Sequence, residues 1–374
     1  MAASLITRQP FKALYILLRT AYLSVRIPFW ILYFIPRFLR QHPQWSYRQA
    51  LTVRILSAVL HTTSNSENGT PTPLRGNASK GWVVLQPARA DAYTGVVSKD
   101  KLTKPVPIGG TWYPKTLQKY TGEDIVLHFH GGAFVIGNGR GTGEPGDSAF
   151  TAQSILKYSK ASYTFLPQYR LSSNGDRFPA ALQDAITTYC YLTETLAIPA
   201  DKITISGDSA GANISLSLLR YIADNPQAKL PNPRCVWLWS LWADPGRSLI
   251  TDPPFFSANT HTDYLNDAFG AWGARTYTPR PETGITLAHP NICFVGTAFA
   301  TPTPIFFSAG ECEALQSVII GAAKEFKNIP GNKVEVYVEE NAVHDIILMG
   351  DFLGFKKEAF EAVKAANKFL ESCK

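Results

Sequence analysis

Acidic residues are missing from the start of the chain: none precedes Glu67, although basic residues are frequent there. This local excess supplies much of the net charge of +7 in a chain of 374 residues. The body of the chain has no basic stripe interleaved with aromatic residues and no glycine-rich phosphate-binding motif. We therefore expect no nucleic-acid partner.

Cysteines are few and scattered, and their number is odd, which excludes a framework of paired disulfides. The sequence also lacks zinc-like spacing of Cys and His, and it has no internal repeat. We therefore expect neither a metal nor another cofactor. With 45% hydrophobic residues, the chain can bury a sizeable core. The cysteines are Cys190, Cys235, Cys293, Cys312 and Cys373.

A serine flanked by glycines follows a strand-like run in the middle of the chain. Residues 203–206 are rich in β-branched side chains and lead into Gly207-Asp208-Ser209-Ala210-Gly211. Small residues on both sides let the backbone turn sharply, expose the serine at the strand end and start a helix there. The pattern indicates Ser209 as a nucleophile.

A second glycine-containing loop follows an earlier strand-like run at residues 125–129. This loop reads His130-Gly131-Gly132-Ala133. Its missing side chains let backbone N–H groups face a developing oxyanion. Each motif alone is weak evidence, but together they predict two of the three parts of an acyl-transferring serine enzyme.

The rest of the chain alternates between strand-like and helix-like segments. Such alternation predicts an α/β fold with a mostly parallel sheet flanked by helices, whose ligands gather at the carboxyl ends of the strands. The stretch at about residues 246–302 breaks this rhythm, and it is too long for a structureless loop in a compact domain. We expect it to form a cap over an apolar pocket, together with the N-terminal region.

The remaining catalytic groups are expected in loops that follow the last two strands. A serine needs a histidine as base and a carboxylate that orients the histidine, in the chain order serine, acid, base. Of the seven histidines, only His344 follows the last predicted strand. The loop after the preceding strand offers two candidate acids, Glu311 and Glu313.

Several of these residues resemble the hormone-sensitive-lipase-like branch of the α/β-hydrolase family, which includes acetyl-hydrolases, arylacetamide deacetylases and steryl acetyl hydrolases. The similarity is carried by Gln168-Tyr-Arg-Leu171, by Phe178-Pro-Ala-Ala-Leu-Gln-Asp184 and by Gly310-Glu-Cys-Glu313-Ala-Leu315. It implies an α/β-hydrolase fold from about Asp124 onward. This chain departs from the family pattern at Gln168, which is usually aspartate, and at Ala133, which is usually a third glycine.

The resemblance also implies the roles of the site residues. It assigns Ser209 as nucleophile, His344 as base and Glu313, which stands where the family carries aspartate, as the acid. The implied donors to the oxyanion are the backbone N–H groups of Gly131, Gly132 and Ala210. Asp208 is expected to have a structural role.

The N-terminal segment, residues 1–60, contains a long apolar stretch punctuated by Lys12, Arg19 and Arg26 at spacings of seven. On a helix these three cations stack along one face, which favours a helix lying in a membrane interface. A spanning anchor and a soluble cap helix are the alternatives. Residues 61–80 are expected to be a linker, and residues 81–374 the catalytic domain.

The expected location is a membrane, with the endoplasmic reticulum as the candidate compartment. The sequence leaves the side of the membrane open. The glycosylation sequons at Asn68 and Asn77 favour the lumen. The basic residues that follow the apolar stretch favour the cytosol.

The leading hypothesis is a serine carboxylic ester hydrolase that acts on a small apolar ester, such as an acylated sterol or secondary metabolite. An acyltransferase that uses the same acyl-enzyme is one alternative. The other is a catalytically silent receptor, because gibberellin receptors resemble the same family but lack the catalytic histidine. The sequence leaves the oligomeric state open.

Overall fold

The computed structural model describes residues 5–140, 148–250 and 259–373. The strands are β1 (Trp82–Leu85), β2 (Ile108–Tyr113), β3 (Ile125–Phe129), β4 (Tyr163–Gln168), β5 (Ile203–Asp208), β6 (Cys235–Trp239), β7 (Ile305–Gly310) and β8 (Val334–Glu339). The α-helices are α1 (Phe11–Tyr33), α2 (Tyr47–Ser66), α3 (Ala149–Tyr158), α4 (Ala180–Cys190), α5 (Ala210–Asp224), α6 (Asp267–Tyr277), α7 (Gln316–Lys327), α8 (Ile346–Leu353) and α9 (Lys356–Ser372).

Within the described residues, the strands form one eight-stranded sheet with the order β1-β2-β4-β3-β5-β6-β7-β8. Strand β2 runs antiparallel to both of its neighbours, and every other pairing is parallel. The predicted class is therefore confirmed: a mostly parallel sheet with helices that connect its strands.

The central strands are buried along their whole length because helices cover both faces of the sheet. Every residue of β3, β5, β6 and β7 is buried, as expected for parallel strands inside an α/β domain. The edge strand β8 instead has half-buried and exposed residues. Because these strands are parallel, the loops after β3, β5, β6, β7 and β8 all lie at the same carboxyl edge of the sheet.

Helix α2 packs on the catalytic body, and α1 packs on α2. Ser46 starts α2 with a capping box: it accepts the N–H of Gln49 at 3.2 Å, and the Gln49 side chain accepts the N–H of Ser46 at 2.7 Å. Just before α2, Trp45 Nε1 donates to the carbonyl of Asn341 at 2.7 Å. This bond ties the start of α2 to the loop that carries His344.

Helix α6 forms the cap insertion together with the loops around it, and residues 251–258 of the predicted insertion lie outside the described residues. The side chain of Asn266 caps α6 by accepting the N–H of Phe269 at 3.0 Å. Arg275 on α6 forms an ion pair of 2.6 Å with Glu67, the residue that ends α2. The cap is therefore built from the N-terminal region and the insertion together, as predicted.

Two helix boundaries differ from the sequence-based expectation. Helix α2 continues to Ser66, through the first residues of the segment that was expected to be a linker. The alternation of segments predicts a final helix over residues 352–370, which corresponds to α9, whereas the separate short helix α8 precedes it and was not predicted. Gly354 ends α8 with φ 88°, a left-handed conformation that glycine adopts without steric cost.

Candidate active site

Ser209 lies in the tight turn between β5 and α5. Its backbone has φ 50° and ψ −112°, which is rare for a residue with a side chain. Hydrogen bonds hold this conformation: the N–H of Ser209 donates to the carbonyl of Trp239 at 2.8 Å, and the carbonyl of Ser209 accepts the N–H of Asn213 at 3.1 Å. The neighbouring segments therefore hold Ser209 in this strained backbone conformation, as is common at functional sites.

The glycines beside Ser209 are required by close backbone contacts. A β-carbon on Gly207 would collide with the carbonyl of Gly211, and one on Gly211 would collide with the carbonyl of Phe129. This agrees with the expectation that small residues permit the turn, and α5 begins one residue after the serine.

His344 and Glu313 lie together on the loops that follow β8 and β7. Both side chains are buried, and Nδ1 of His344 lies 3.5 Å from Oε1 of Glu313, which is long for a hydrogen bond. Glu311 has another partner, because its Oε2 accepts the backbone N–H of Asn341 at 2.8 Å. Of the two candidate acids, the structure brings Glu313 to the imidazole.

Ser240, which the sequence analysis did not select, holds Glu313 in place. Its hydroxyl donates to Oε2 of Glu313 at 2.7 Å, and the same oxygen accepts the N–H of Gly310 at 2.7 Å. The Ser240 hydroxyl also accepts the N–H of Asp345 at 2.9 Å. One hydroxyl at the end of β6 therefore links the acid loop, which follows β7 and carries Glu313, to the base loop, which follows β8 and carries His344.

The buried carboxylates around His344 favour its protonated form. Burial lowers the pKa of His344, but the close approach and charge of Glu313, with the charges of Asp263 and Asp208, outweigh this effect and raise the pKa above its ordinary value. The imidazole is therefore well suited to hold a proton transiently, as a general base must.

Gly131 has a different role from the one predicted. Its backbone N–H donates to Oδ2 of Asp208 at 2.7 Å. Because a residue has only one backbone N–H, this group is not available to an oxyanion. The assignment of Gly131 as an oxyanion donor is therefore wrong.

The next residues offer free donors instead. Among the described residues, we find no acceptor for the backbone N–H groups of Gly132 and Ala133. Ala210 is the first residue of α5, where an N–H has no acceptor within the helix. Gly132 has φ 103°, and Ala133, which stands where the family usually has a third glycine, has φ 52°.

Asp208 is fully buried, and both of its carboxylate oxygens have hydrogen-bond partners. Its Oδ1 lies 2.9 Å from Nε2 of His128, and its Oδ2 accepts the N–H of Gly131. Burial raises the pKa of Asp208, but the hydrogen bond from His128 and other neighbouring groups outweigh burial and lower the pKa overall. This agrees with the structural role expected for Asp208.

Hydrogen bonds at His130 also hold the loop His130-Gly131-Gly132-Ala133, called the oxyanion loop below. Nδ1 of His130 lies 2.8 Å from the carbonyl of Gly131, and the hydroxyl of Tyr169 donates to the carbonyl of His130 at 2.7 Å. Burial lowers the pKa of His130 to about 4, so that its ring is neutral at pH 7. Gln168, the other departure from the family pattern, accepts the N–H of Gly139 at 3.1 Å.

A cavity of about 220 Å³ contains Ser209 and His344 in its wall. The loop after β3 and the loops of Ser209 and His344 form one side of it, and much of its apolar lining comes from three further parts of the fold: α2, the cap insertion and α8. These parts contribute Leu56 and Leu60, then Tyr264 and Phe269, then Leu348 and Met349. Helix α8 was not predicted, so this part of the wall could not be found from the sequence.

Two buried aspartates near His344 also escaped the sequence analysis. Asp345 directly follows His344 and lines the cavity. Burial, together with the charge and hydrogen bond of Asp208, raises the pKa of Asp345 well above its ordinary value. Asp263 comes from the cap insertion, and burial raises its pKa to about 6. The adjacency of Asp345 to His344 was a usable signal, whereas nothing in the sequence marks Asp263.

The cysteines are free among the described residues, and Cys312 in the acid loop is buried. Burial raises the pKa of Cys312 to about 11, which makes its thiol a poor nucleophile. In the described ranges 5–140, 148–250 and 259–373, no group of three or more His, Cys, Asp or Glu side chains is arranged to hold a metal ion.

Comparison with known proteins agrees with the fold. Residues 126–348 match a family described as having the alpha/beta hydrolase fold. An AB hydrolase superfamily protein of Schizosaccharomyces pombe is 27% identical over 252 residues, covering 66% of this chain and 71% of that protein. An acetyl-hydrolase of Streptomyces hygroscopicus is 30% identical over 123 residues, covering 32% of this chain and 36% of that protein.

Solved structures show the same fold. A hyperthermophilic esterase from the archaeon Pyrobaculum calidifontis aligns with a TM-score of 0.59 and 18% sequence identity, covering 89% of this chain and 93% of that one.

Proposed function

Because the chain belongs to the α/β-hydrolase fold family, we propose that it is a serine carboxylic ester hydrolase. The observation that carries this proposal is the strained Ser209 on the wall of one cavity with His344, whose ring lies beside the buried Glu313. The acetyl-hydrolase and esterase names of the relatives support the same reaction class. The family match agrees with the resemblance inferred from the sequence.

The reaction begins when Oγ of Ser209 attacks the ester carbonyl carbon and transfers its proton to His344. The bond between this carbon and the alcohol oxygen then breaks, and His344 returns the proton to the departing alkoxide. Water attacks the resulting acyl-serine with His344 again as base, and the acid leaves as Ser209 regains its proton. Glu313 keeps the ring oriented and stabilises its charged form.

In both steps the carbonyl oxygen develops negative charge and needs fixed donors. The N–H groups of Gly132, Ala133 and Ala210 are suited to this role because we find no acceptor for the first two among the described residues, the third begins α5, and Gly132 lines the cavity together with Ser209. The donor set therefore differs from the sequence-based one by the exchange of Gly131 for Ala133.

The cavity favours a substrate with a short acyl group. Its volume of about 220 Å³ lies below the range of roughly 300–1,000 Å³ that is typical of pockets enclosing a whole ligand. A small acyl chain and the ester itself would fill it, and a bulkier alcohol such as a sterol or secondary metabolite would extend into the mouth. The apolar side chains of α2 and the cap favour a hydrophobic alcohol.

The test is hydrolysis of p-nitrophenyl acetate compared with p-nitrophenyl decanoate. We expect higher kcat/KM for the acetate and a loss of at least about 10³-fold in Ser209→Ala. Labelling by a fluorophosphonate probe should disappear in the same variant. Inertness of the wild-type protein toward both esters and the probe would support a silent receptor, and ester product formed only with an added alcohol would support an acyltransferase.

We further infer that α1 lies on a lipid surface. The helix is long and apolar enough to cross a membrane by length and composition, with a mean hydropathy of 1.2 over its best window, of which only 6% is buried. A series of its exposed apolar side chains recurs every three or four residues and so shares one face. This series is Phe11, Leu14, Leu18, Tyr22, Val25, Phe29 and Leu32, and Ile16, Leu17, Ile31 and Tyr33 are exposed as well.

The charged residues of α1 favour an in-plane helix over a spanning one. Arg26 stacks on Trp30 and Tyr22, and Arg19 donates from Nε to the hydroxyl of Thr62 on α2 at 3.3 Å. A guanidinium at the centre of a bilayer costs about 2.5–3.5 kcal/mol, whereas beside the headgroups it attracts anionic lipids. Because α1 packs on α2, whose other side lines the cavity, this orientation supports entry of apolar substrates from the bilayer.

A further inference from the structure

The cap insertion forms several hydrogen bonds with the loop that carries Glu313. The side-chain amide of Asn259 donates to the carbonyls of Glu311 and Glu313, both at 3.1 Å. The hydroxyl of Thr262 donates to the carbonyl of Cys312 at 3.0 Å. Three consecutive carbonyls of the acid loop are therefore bonded by side chains of one short cap segment, residues 259–264.

Asp263, in the same segment, connects the acid loop with the base loop. Its Oδ2 accepts the N–H of Ala314 at 2.7 Å, next to Glu313 in the chain. Its Oδ1 accepts the N–H of Tyr264 at 2.7 Å and that of His344 at 3.4 Å, the latter at the limit of a hydrogen bond. The carboxylate is buried, so these N–H groups are its principal stabilising contacts.

We propose that Asp263 is a positioning residue of the catalytic centre, through which the cap holds the acid loop and the base loop together so that Glu313 faces His344. This inference rests on the ester-hydrolase function proposed above, and it assigns the cap a task beyond covering the cavity. The carboxylate acts on the main chain of both loops and does not contact the reacting atoms.

The proposal has an electrostatic consequence, because several charged groups face His344. Glu313 comes from the acid loop, Asp263 from the cap and Asp208 from β5, and all three raise the pKa of His344. Asp345 follows in the base loop itself, and the ring of Tyr264 lies edge-on to the imidazole at 5.9 Å. Removing the Asp263 charge should therefore lower the pKa of His344, while Glu313 and Asp208 remain.

Asp263→Asn is the informative substitution. An asparagine keeps the size of the side chain but has only one acceptor oxygen, so it cannot bond the N–H groups at both ends of the carboxylate. In protein labelled with ¹³C at histidine Cε1, we expect the His344 signal, identified by its loss in His344→Gln, to titrate at lower pH in Asp263→Asn than in wild type. This measurement needs no substrate.

The kinetic arm uses p-nitrophenyl acetate. We expect kcat to fall by about 10- to 100-fold in Asp263→Asn and further in Asp263→Ala, with KM changed by less than about threefold, because the loss affects alignment rather than binding. Glu311→Gln is the matched control: it removes a carboxylate from the same loop region, and Glu311 is not among the charges that shift His344. The control should keep the wild-type His344 titration.

The Tm of each variant and the fraction of it that a fluorophosphonate labels show whether the variant is folded. An unchanged His344 titration in folded Asp263→Asn would overturn the inference whether or not any ester is hydrolysed. In an active enzyme, an unchanged kcat would overturn it as well. If the wild-type protein hydrolyses no ester but Asp263→Asn still shifts the titration, the positioning role stands and the proposed function fails.

Discussion

The backbone N–H of Gly131 donates to the carboxylate of Asp208 across 2.7 Å, and this bond joins the oxyanion loop to the turn that carries Ser209. Both partners are buried, and His128 holds the other carboxylate oxygen at 2.9 Å. The two sequence motifs are therefore linked through a fixed anion. Because this bond occupies the N–H of Gly131, the free backbone donors of this loop are those of the next two residues, Gly132 and Ala133.

Gly131→Ala should disrupt this link. The added β-carbon would collide with the Asp208 carboxylate, which cannot move without losing His128. We expect kcat to fall by at least about 10²-fold, because loss of a single oxyanion donor already costs 10²–10³. Gly321→Ala is the matched control, since Gly321 lies in α7 with open space around it, and alanine there should preserve activity and slightly stabilise the helix. Equal activity of the two variants would contradict the role of the link.

Glu313→Gln tests which glutamate orients the base. An amide keeps the shape of the carboxylate but cannot stabilise the imidazolium, so we expect kcat to fall by about 10²- to 10⁴-fold. Glu311→Gln should stay within about threefold of wild type, because Glu311 contacts only the backbone of the base loop among the hydrogen bonds described. Steady-state kinetics on p-nitrophenyl acetate measure both variants. A larger loss in the Glu311 variant would reverse the assignment.

The sequence predicted those parts of the site that are encoded locally. The loops of Ser209 and Gly132 directly follow strands with clear β-branched patterns, so their place at one sheet edge could be inferred. The contribution of Ser240 could not, because it depends on the register of β6 beside β7. The same holds for Gly131: its donor role is set by a carboxylate 77 positions away.

Longer-range features were harder still to predict. Asp263 lies in an insertion without a repeating pattern, and its partners belong to two other loops. Helix α8 was missed because its apolar run is only eight residues long and follows directly after the base loop. The family resemblance selected Glu313, whose side chain lies 3.5 Å from His344, but it could not supply contacts that depend on how this cap packs.

Asp345→Asn should change how stability depends on pH. Burial and then the neighbouring Asp208 raise the pKa of Asp345 well above the value of about 3.9 expected in an unfolded chain. Between these two pKa values the folded protein keeps a proton that the unfolded chain has released. The stability of the wild-type protein therefore falls as pH rises through this window, by about 1.4 kcal/mol per pH unit for this group.

The asparagine variant has no such proton to lose. We expect its Tm relative to wild type to increase between pH 5 and pH 8, as measured by differential scanning fluorimetry. Asp351→Asn, at an exposed position beside Lys356, should show no comparable pH-dependent difference. A constant Tm difference for the Asp345 variant across this range would mean that Asp345 does not keep its proton in the folded protein above the pH at which the unfolded chain releases it.

The exposed stripe of α1 gives a test of lipid binding. Leu14 and Leu18 are 52% and 60% exposed, so replacing both with aspartate should leave the fold intact. If the stripe inserts among lipids, each leucine contributes about 1.5–3 kcal/mol when buried, and the double variant should bind vesicles of phosphatidylcholine and phosphatidylserine at least tenfold more weakly. Co-sedimentation measures the bound fraction.

Leu102→Asp is the control for added charge, because Leu102 is 75% exposed on the catalytic body and lies outside α1. It should bind vesicles as wild type does. Binding of the wild-type protein should weaken with added salt, since Lys12, Arg19 and Arg26 would neutralise anionic headgroups. Extraction of the cell membrane at high pH separates the two modes, because an in-plane helix is released whereas a spanning helix remains in the pellet. Vesicle binding that is equal in the α1 variant and the control would rule out the stripe as the lipid contact.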